Sequence, residues 1–163
     1  MTLHDDASDL PSWHDNLIYG LHLRSADPER GVWRSDLLLD IDHIVEWVCS
    51  ADNRCQFRVA PATLAFHDVT NLKISIDSED GRYRQNINEL SIAHIQRMPT
   101  DAFAEGHPRP YFEWSIVLNL PQGGEITFGA SGYDQILRAE PQLVCEQRLV
   151  ADDRPPMLAS GGS

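Results

Sequence analysis

The chain has 163 residues, of which 42% are hydrophobic and 23% are charged, and these values are typical of one soluble globular domain. Its formal net charge of −12 argues against electrostatic binding to nucleic acid or to anionic lipid, because both repel an acidic surface. The charge permits a basic protein partner or a cation, and it also simply favours solubility. The N-terminus lacks the positive start and apolar core of a signal peptide, and no apolar run is long enough for a membrane helix. We therefore predict a cytoplasmic protein.

The order of polar and apolar segments predicts one β domain between two loose ends. Residues 1–12 are polar and acidic and predict a disordered arm, and residues 151–163 predict a disordered tail. Between them, residues 13–150 alternate with the two-residue period of half-buried strands. The eight clearest segments are 17–24, 33–44, 57–66, 72–77, 84–96, 112–120, 126–130 and 143–149. Eight or nine short strands with little helix predict an antiparallel all-β fold, either a β-sandwich or a partly closed β-barrel.

The segment 36–47 (DLLLDIDHIVEW) organises this pattern, because its apolar residues alternate with acidic ones. Two antiparallel registers bring its apolar face together with that of the first strand. One register places Leu21 opposite Leu37 and His22 beside Asp36, and a slip of two residues places His22 opposite Leu38. In the next strand, Pro61 predicts an interruption or an edge position, because proline cannot donate a ladder hydrogen bond.

Three segments resemble the markers of a family of uncharacterised bacterial proteins, a domain of unknown function. They are residues 13–16 (WHDN), 39–47 (LDIDHIVEW) and 61–69 (PATLAFHDV), and residues 114–118 and 124–133 (GEITFGASGY) fit the same resemblance. The resemblance covers most of residues 13–149. It implies a bacterial source and one domain, and it supplies no activity, cofactor or catalytic residue. In general character the acidic, β-rich chain is also similar to small immunity proteins that block a toxin.

The candidate site residues lie in and around the acidic segment. Asp40 and Asp42 share one strand face, where paired carboxylates could act in acid–base chemistry, or could simply form a solvated outer face. His43 and Trp47 at the strand end could hold a sugar or a small polar ligand, or could form a sheet corner. The candidate binding set is His22, Asp40, Asp42, His43, Trp47 and His67.

No motif in the chain specifies catalysis or metal binding. Ser131 lies in GASGY, which lacks the glycine spacing of a nucleophile elbow, and the histidines and cysteines lack zinc spacing. Cys49 and Cys55 flank a polar loop and could meet, but nothing in the sequence requires a bond between them, and free thiols in a reducing cytoplasm are the simplest interpretation.

We therefore predict a non-enzymatic binding module without a cofactor. Its partner would be a basic protein, or a second copy of the chain joined through exposed edge strands. The alternative is a small-molecule-binding β-barrel or a weak enzyme, which requires the Asp and His side chains of the candidate set to converge.

Overall fold

The computed structural model describes residues 10–77, 86–101 and 109–157. Within these ranges nine strands form one antiparallel sheet, and the helical residues are confined to two short 3-10 turns, Pro28–Arg30 and Ala151–Asp153. The strands are β1 (Leu17–Arg24), β2 (Asp36–Cys49), β3 (Cys55–His67), β4 (Thr70–Ser75), β5 (Leu90–Pro99), β6 (Phe112–Leu120), β7 (Glu125–Ala130), β8 (Gly132–Leu137) and β9 (Gln142–Val144). The prediction of an antiparallel all-β fold with little helix is confirmed. No helix within the described ranges is long and apolar enough to cross a membrane.

The strand order is β4-β7-β6-β5-β1-β2-β3-β8, with β9 also paired to β3. The edge strands β4 and β8 are not paired with each other, so the sheet is not closed into a barrel. Its two halves nevertheless share one core, because Phe66 of β3 packs with its ring centroid 5.1 Å from Trp114 of β6 and 4.7 Å from Phe128 of β7. The period-2 alternation of each strand supplies the apolar side chains of this core.

The pairing of β1 with β2 follows the slipped register. Leu21 pairs with Leu39 and His22 pairs with Leu38, so of the two registers left open by the sequence, the one that places His22 beside Asp36 is not formed. The register shifts between Ile18 and Gly20, and this bulge inserts Tyr19 as an extra residue. The slipped register therefore holds only for residues 20–24, because both registers assumed unbroken alternation through this point.

Pro61 lies inside the continuous 13-residue strand β3, between β2 and the two strands β8 and β9. The prediction that this proline interrupts a strand or lies at an edge is therefore wrong. The strand β8 pairs with residues 62–67 and β9 with residues 57–59, so Pro61 faces the break between them. Its carbonyl accepts a hydrogen bond from the Arg138 backbone N–H at 2.7 Å, and its missing donor costs little at the break.

The N-terminal segment closes one end of the core. The Trp13 side chain is 2% exposed, packs edge-to-face on Tyr133 at 5.5 Å and donates a hydrogen bond to the Gln135 side chain at 2.7 Å. The backbone N–H of Asp15 donates to the Ile92 carbonyl at 2.8 Å. Residues 13–15 thus link β8 to β5, which explains a structural role for the WHDN segment.

The hairpin formed by β2 and β3 ends in a disulfide between Cys49 and Cys55, which are directly paired across the two strands. The expectation of free thiols is wrong for this pair, because the register of the hairpin places the two residues opposite each other. Cys145 is free and exposed.

Candidate functional site

The two central aspartates of β2 are buried, although they lie on the face opposite the main core. Asp40 is 4% exposed and Asp42 is fully buried. The interpretation of this face as a solvated acidic surface is therefore wrong. A buried carboxylate requires a cation or several hydrogen-bond donors, and the C-terminal part of the chain supplies both.

Asp42 is held by the segment that follows the last strand. Arg154 donates Nη2–H to Oδ2 of Asp42 at 2.6 Å and Nε–H to Oδ1 at 3.2 Å, which is a bidentate arrangement. The backbone N–H of Leu149 donates to Oδ2 at 3.1 Å. Residues 151–157, which the sequence pattern assigns to the tail, thus include the cation that neutralises Asp42, the most buried acid among the described residues.

Asp40 is held through a shared hydroxyl. Thr63 donates its hydroxyl to Oδ1 of Asp40 at 2.6 Å and accepts a hydrogen bond from Nη1 of Arg138 at 3.1 Å. The same Nη1 lies 3.9 Å from Oδ1 of Asp40. Gly20 of β1 is paired with Asp40 across the two strands. A Cβ atom on Gly20 would lie 3.2 Å from Oδ2 of Asp40, so glycine at this position leaves room for the carboxylate.

Tyr19 completes this buried group. The Arg154 guanidinium lies over the Tyr19 ring, 4.4 Å from its centroid. Burial, together with the negative charges of Asp40 and Asp42, raises the pKa of Tyr19 to about 12. The phenol is therefore neutral at pH 7. Two carboxylates matched by two guanidiniums form a charge-balanced network that binds the C-terminal segment to the sheet.

His43 lies half-buried on the other side of β2, the side that faces the core. The Asn16 side-chain amide contacts Nδ1 of His43 at 2.9 Å, and its oxygen accepts the Ile44 backbone N–H at 3.2 Å. Burial lowers the pKa of His43 below its ordinary value, so the imidazole is neutral at pH 7 and accepts the amide hydrogen at Nδ1. Trp47 is 51% exposed near the end of the hairpin, where it packs edge-to-face on Phe57 at 4.9 Å.

His67 lies at the end of β3 between two carboxylates. Its Nδ1 is 3.3 Å from Oδ1 of Asp36, and its Nε2 is 2.8 Å from Oδ2 of Asp134 in β8. Arg24 approaches the other oxygen of Asp36 at 3.6 Å. This half-exposed cluster links β1, β2, β3 and β8.

The predicted site residues therefore do not converge. His22 and His67 lie on the same face of the sheet as Asp40 and Asp42, but the two aspartates are buried under arginines. His43 contacts Asn16 on the opposite side of β2, and Trp47 lies near the end of the hairpin. No group of three or more His, Cys, Asp or Glu side chains within the described ranges is arranged to hold a metal ion. The convergence that the small-molecule or enzymatic alternative requires is not observed.

A wide cleft instead lies on the other half of the sheet. It has a volume of about 740 Å³ and crosses β5, β6, β7 and β4. Strand pairing aligns one row of its side chains, Gln96, Ser115, Thr127 and Lys73, and a second row, Met98, Glu113, Gly129 and Thr70. These residues alternate with the core residues of the same strands, so they lie on the opposite face. None of the six predicted site residues lines this cleft.

Tyr111 fixes one end of this cleft. Its hydroxyl lies 2.7 Å from the Thr70 hydroxyl and donates to the Asp68 carbonyl at 2.8 Å. A Cβ atom on Gly129 would lie 2.7 Å from Cε1 of Tyr111, so only glycine lets the ring lie against β7. Burial raises the pKa of Tyr111 above its ordinary value, and the phenol stays neutral.

Two smaller cavities of about 450 and 480 Å³ adjoin each other near the start of β5. Both are lined by Leu17, Glu89 and Arg148. Arg148 is paired with Glu89 at 3.2 Å and with Glu146 at 3.3 Å. Asp40, Asp42, His43 and His67 line neither cavity.

The cleft was not predicted from the sequence. Its polar residues were present in the alternation of β4, β6 and β7, but only the strand order shows that they form one surface. Comparisons with protein-family models, with curated proteins and with solved structures find no match to this chain.

Proposed function

We propose that the protein is a non-enzymatic binding module and that its binding surface is the cleft across β4, β7, β6 and β5. The observation that carries this proposal is the width of the cleft, which spans four paired strands, or roughly 14 Å at the usual strand spacing. Side chains on paired strands are held in fixed positions by the ladder, so the surface is preorganised for binding.

The ligand we propose is an extended segment of a basic protein. Hydroxyl and amide groups of Ser115, Thr127 and Gln96 in the cleft can donate to and accept from a peptide backbone. Glu113 is exposed in the same cleft and forms no ion pair with a cation of the described residues, so it is available to a basic side chain. The net charge of −12 would speed the approach of a basic partner.

The chain contains a built-in reporter of this cleft. Lys73, exposed on β4, is the one lysine among the 163 residues. Amine acylation therefore modifies Lys73 and the N-terminus alone, and mass spectrometry separates these two products. A ligand lying in the cleft is expected to protect Lys73 and leave the N-terminus reactive.

The test is capture of partners from a lysate of the source bacterium on the tagged chain, at low and high salt, followed by acylation of the complexes. We expect the substitution Glu113→Lys to remove capture and to remove the protection of Lys73. The matched control is Glu29→Lys, which makes the same charge change at an exposed site outside the three cavities. Equal capture by both variants, or acylation of Lys73 that the partner does not slow, would contradict the proposal.

The proposal includes a cytoplasmic location in a bacterium and a role similar to that of an immunity protein, which binds a basic toxin and blocks it. The exposed free thiol of Cys145 fits a reducing compartment, whereas the Cys49–Cys55 disulfide is typical of an oxidising one, so the redox state of this pair tests the location. In a reducing cytoplasm the Cys49–Cys55 pair is expected to be reduced. Acid-quenched cells treated with an alkylating reagent should then yield chains with three modified cysteines. Recovery of singly modified chains would contradict the cytoplasmic location.

A further inference from the structure

The two edges of the sheet differ in how they are protected against pairing. The edge strand β4 contains a register shift and a residue with positive φ, Asn71 at 52°, and it carries Lys73. Bulges and lysines are the usual protection of exposed edges. The edge strand β8 pairs with β3 without any register shift, and it exposes Ile136 (42%) and Leu137 (50%).

The outer edge of β8 also presents backbone hydrogen-bonding groups. The bond from the Arg138 N–H to the Pro61 carbonyl fixes the alternation of the ladder between β8 and β3. Arg138 and Ile136 therefore point their backbone groups toward β3, and Gln135 and Leu137 point theirs away from it. No described strand pairs with this outer edge.

We propose that β8 pairs with β8 of a second copy of this chain, antiparallel, about a two-fold axis at Ile136. In this register Ile136 lies opposite its own counterpart, and Gln135 lies opposite Leu137, so that the outward backbone groups are satisfied in both copies. The register also places Asp134 opposite Arg138, on the same face as Ile136. A shift of the axis by one residue in either direction would place Ile136 opposite Asp134 or opposite Arg138.

Backbone pairing and the apolar contact supply the attraction in this dimer. Asp134 and Arg138 already contact His67 and Thr63 within their own chain, so their contribution across the axis is small. Each copy carries a net charge of −12, and this repulsion is screened by salt. The dimer is therefore expected to strengthen as ionic strength rises.

The first test measures the mass of the full chain in solution by sedimentation velocity and light scattering, at 0.1 M and at 0.5 M salt. We expect the parent chain to have the mass of a dimer, and the dissociation constant of the dimer to be at least tenfold larger for Ile136→Lys. The matched control is Ile74→Lys on the other edge, where Ile74 is 47% exposed, and it should dimerise like the parent chain. A monomeric parent chain at both salt concentrations, or a dimer that Ile136→Lys leaves intact, would overturn the proposal.

A second test decides the register, and it does not depend on the folding of the lysine variant. Opposite residues in a non-hydrogen-bonded antiparallel pair have Cα atoms about 4.5 Å apart, within the range that a disulfide spans. In a background of Cys145→Ser, Ile136→Cys should oxidise to a covalent dimer, and Ile74→Cys should not. Absence of the covalent dimer of Ile136→Cys, or equal cross-linking of both variants, would refute pairing at this axis.

Discussion

The substitution Arg154→Ala tests the packing of the C-terminal segment against the sheet. Arg154 is 17% exposed, and it neutralises Asp42, which has no exposed side-chain surface. Removing one partner of a buried ion pair leaves an uncompensated charge, which costs about 3–5 kcal/mol. For a chain of this size each kcal/mol lowers the melting temperature by about 2–4 °C, so the expected fall is roughly 6–20 °C.

The measurement is urea unfolding followed by tryptophan fluorescence, together with calorimetry. Arg148→Ala is the control, because Arg148 is 51% exposed and its pairs with Glu89 and Glu146 are surface pairs worth about 0–1 kcal/mol. The double variant Asp42→Leu with Arg154→Leu should recover most of the lost stability, because a buried ion pair and an apolar pair of similar volume are often nearly equivalent. If the free energy of unfolding of Arg154→Ala lies within about 1 kcal/mol of that of the parent chain, Arg154 does not neutralise Asp42 in solution.

Three further outcomes are expected. Gly129→Ala should destabilise the chain by about 1–3 kcal/mol, because its Cβ would collide with Tyr111, whereas Gly132→Ala should change little, because a Cβ there meets open space. The pKa of Tyr19 is raised to about 12, so between pH 10 and pH 12 the folded state holds a proton that the unfolded state has lost. The free energy of unfolding should therefore fall as the pH rises from 10 to about 12, and it should fall less steeply in Tyr19→Phe. Alkylation of the purified, non-reduced native chain should modify Cys145 alone.

The strands could be predicted from the sequence because each has an apolar face whose period is a local property. This holds for the hairpin of β6 and β7, where Trp114, Ile116, Ile126 and Phe128 all point into the core. The same argument failed at Tyr19, where a bulge inserts one residue and changes the face of all that precede it. A bulge depends on what the neighbouring strands contact, and periodicity alone does not record it.

The burial of the acidic face could not be predicted for a different reason. Asp42 and Arg154 are 112 residues apart in the chain, and no local pattern connects them. An aspartate that alternates with leucine has the same local signature whether water or an arginine covers it. The cleft has the same difficulty, because its rows combine residues of four strands whose order in the sheet differs from their order in the chain.

The burial of Asp40 and Asp42 also decides where a binding function should be sought. Both oxygens of Asp42 accept hydrogen bonds from Arg154 or Leu149, and its side chain has no exposed surface that a substrate or a metal ion could reach. Its role is to bind the C-terminal segment to the outer face of β2. Glu113, by contrast, is exposed in the cleft, where the polar groups of four strands face solvent. Residues 149–157 of the C-terminal segment form no hydrogen bond or ion pair with the described residues of this half of the sheet. The acid that matters for recognition is therefore expected in the cleft, away from the strand with the most acidic sequence.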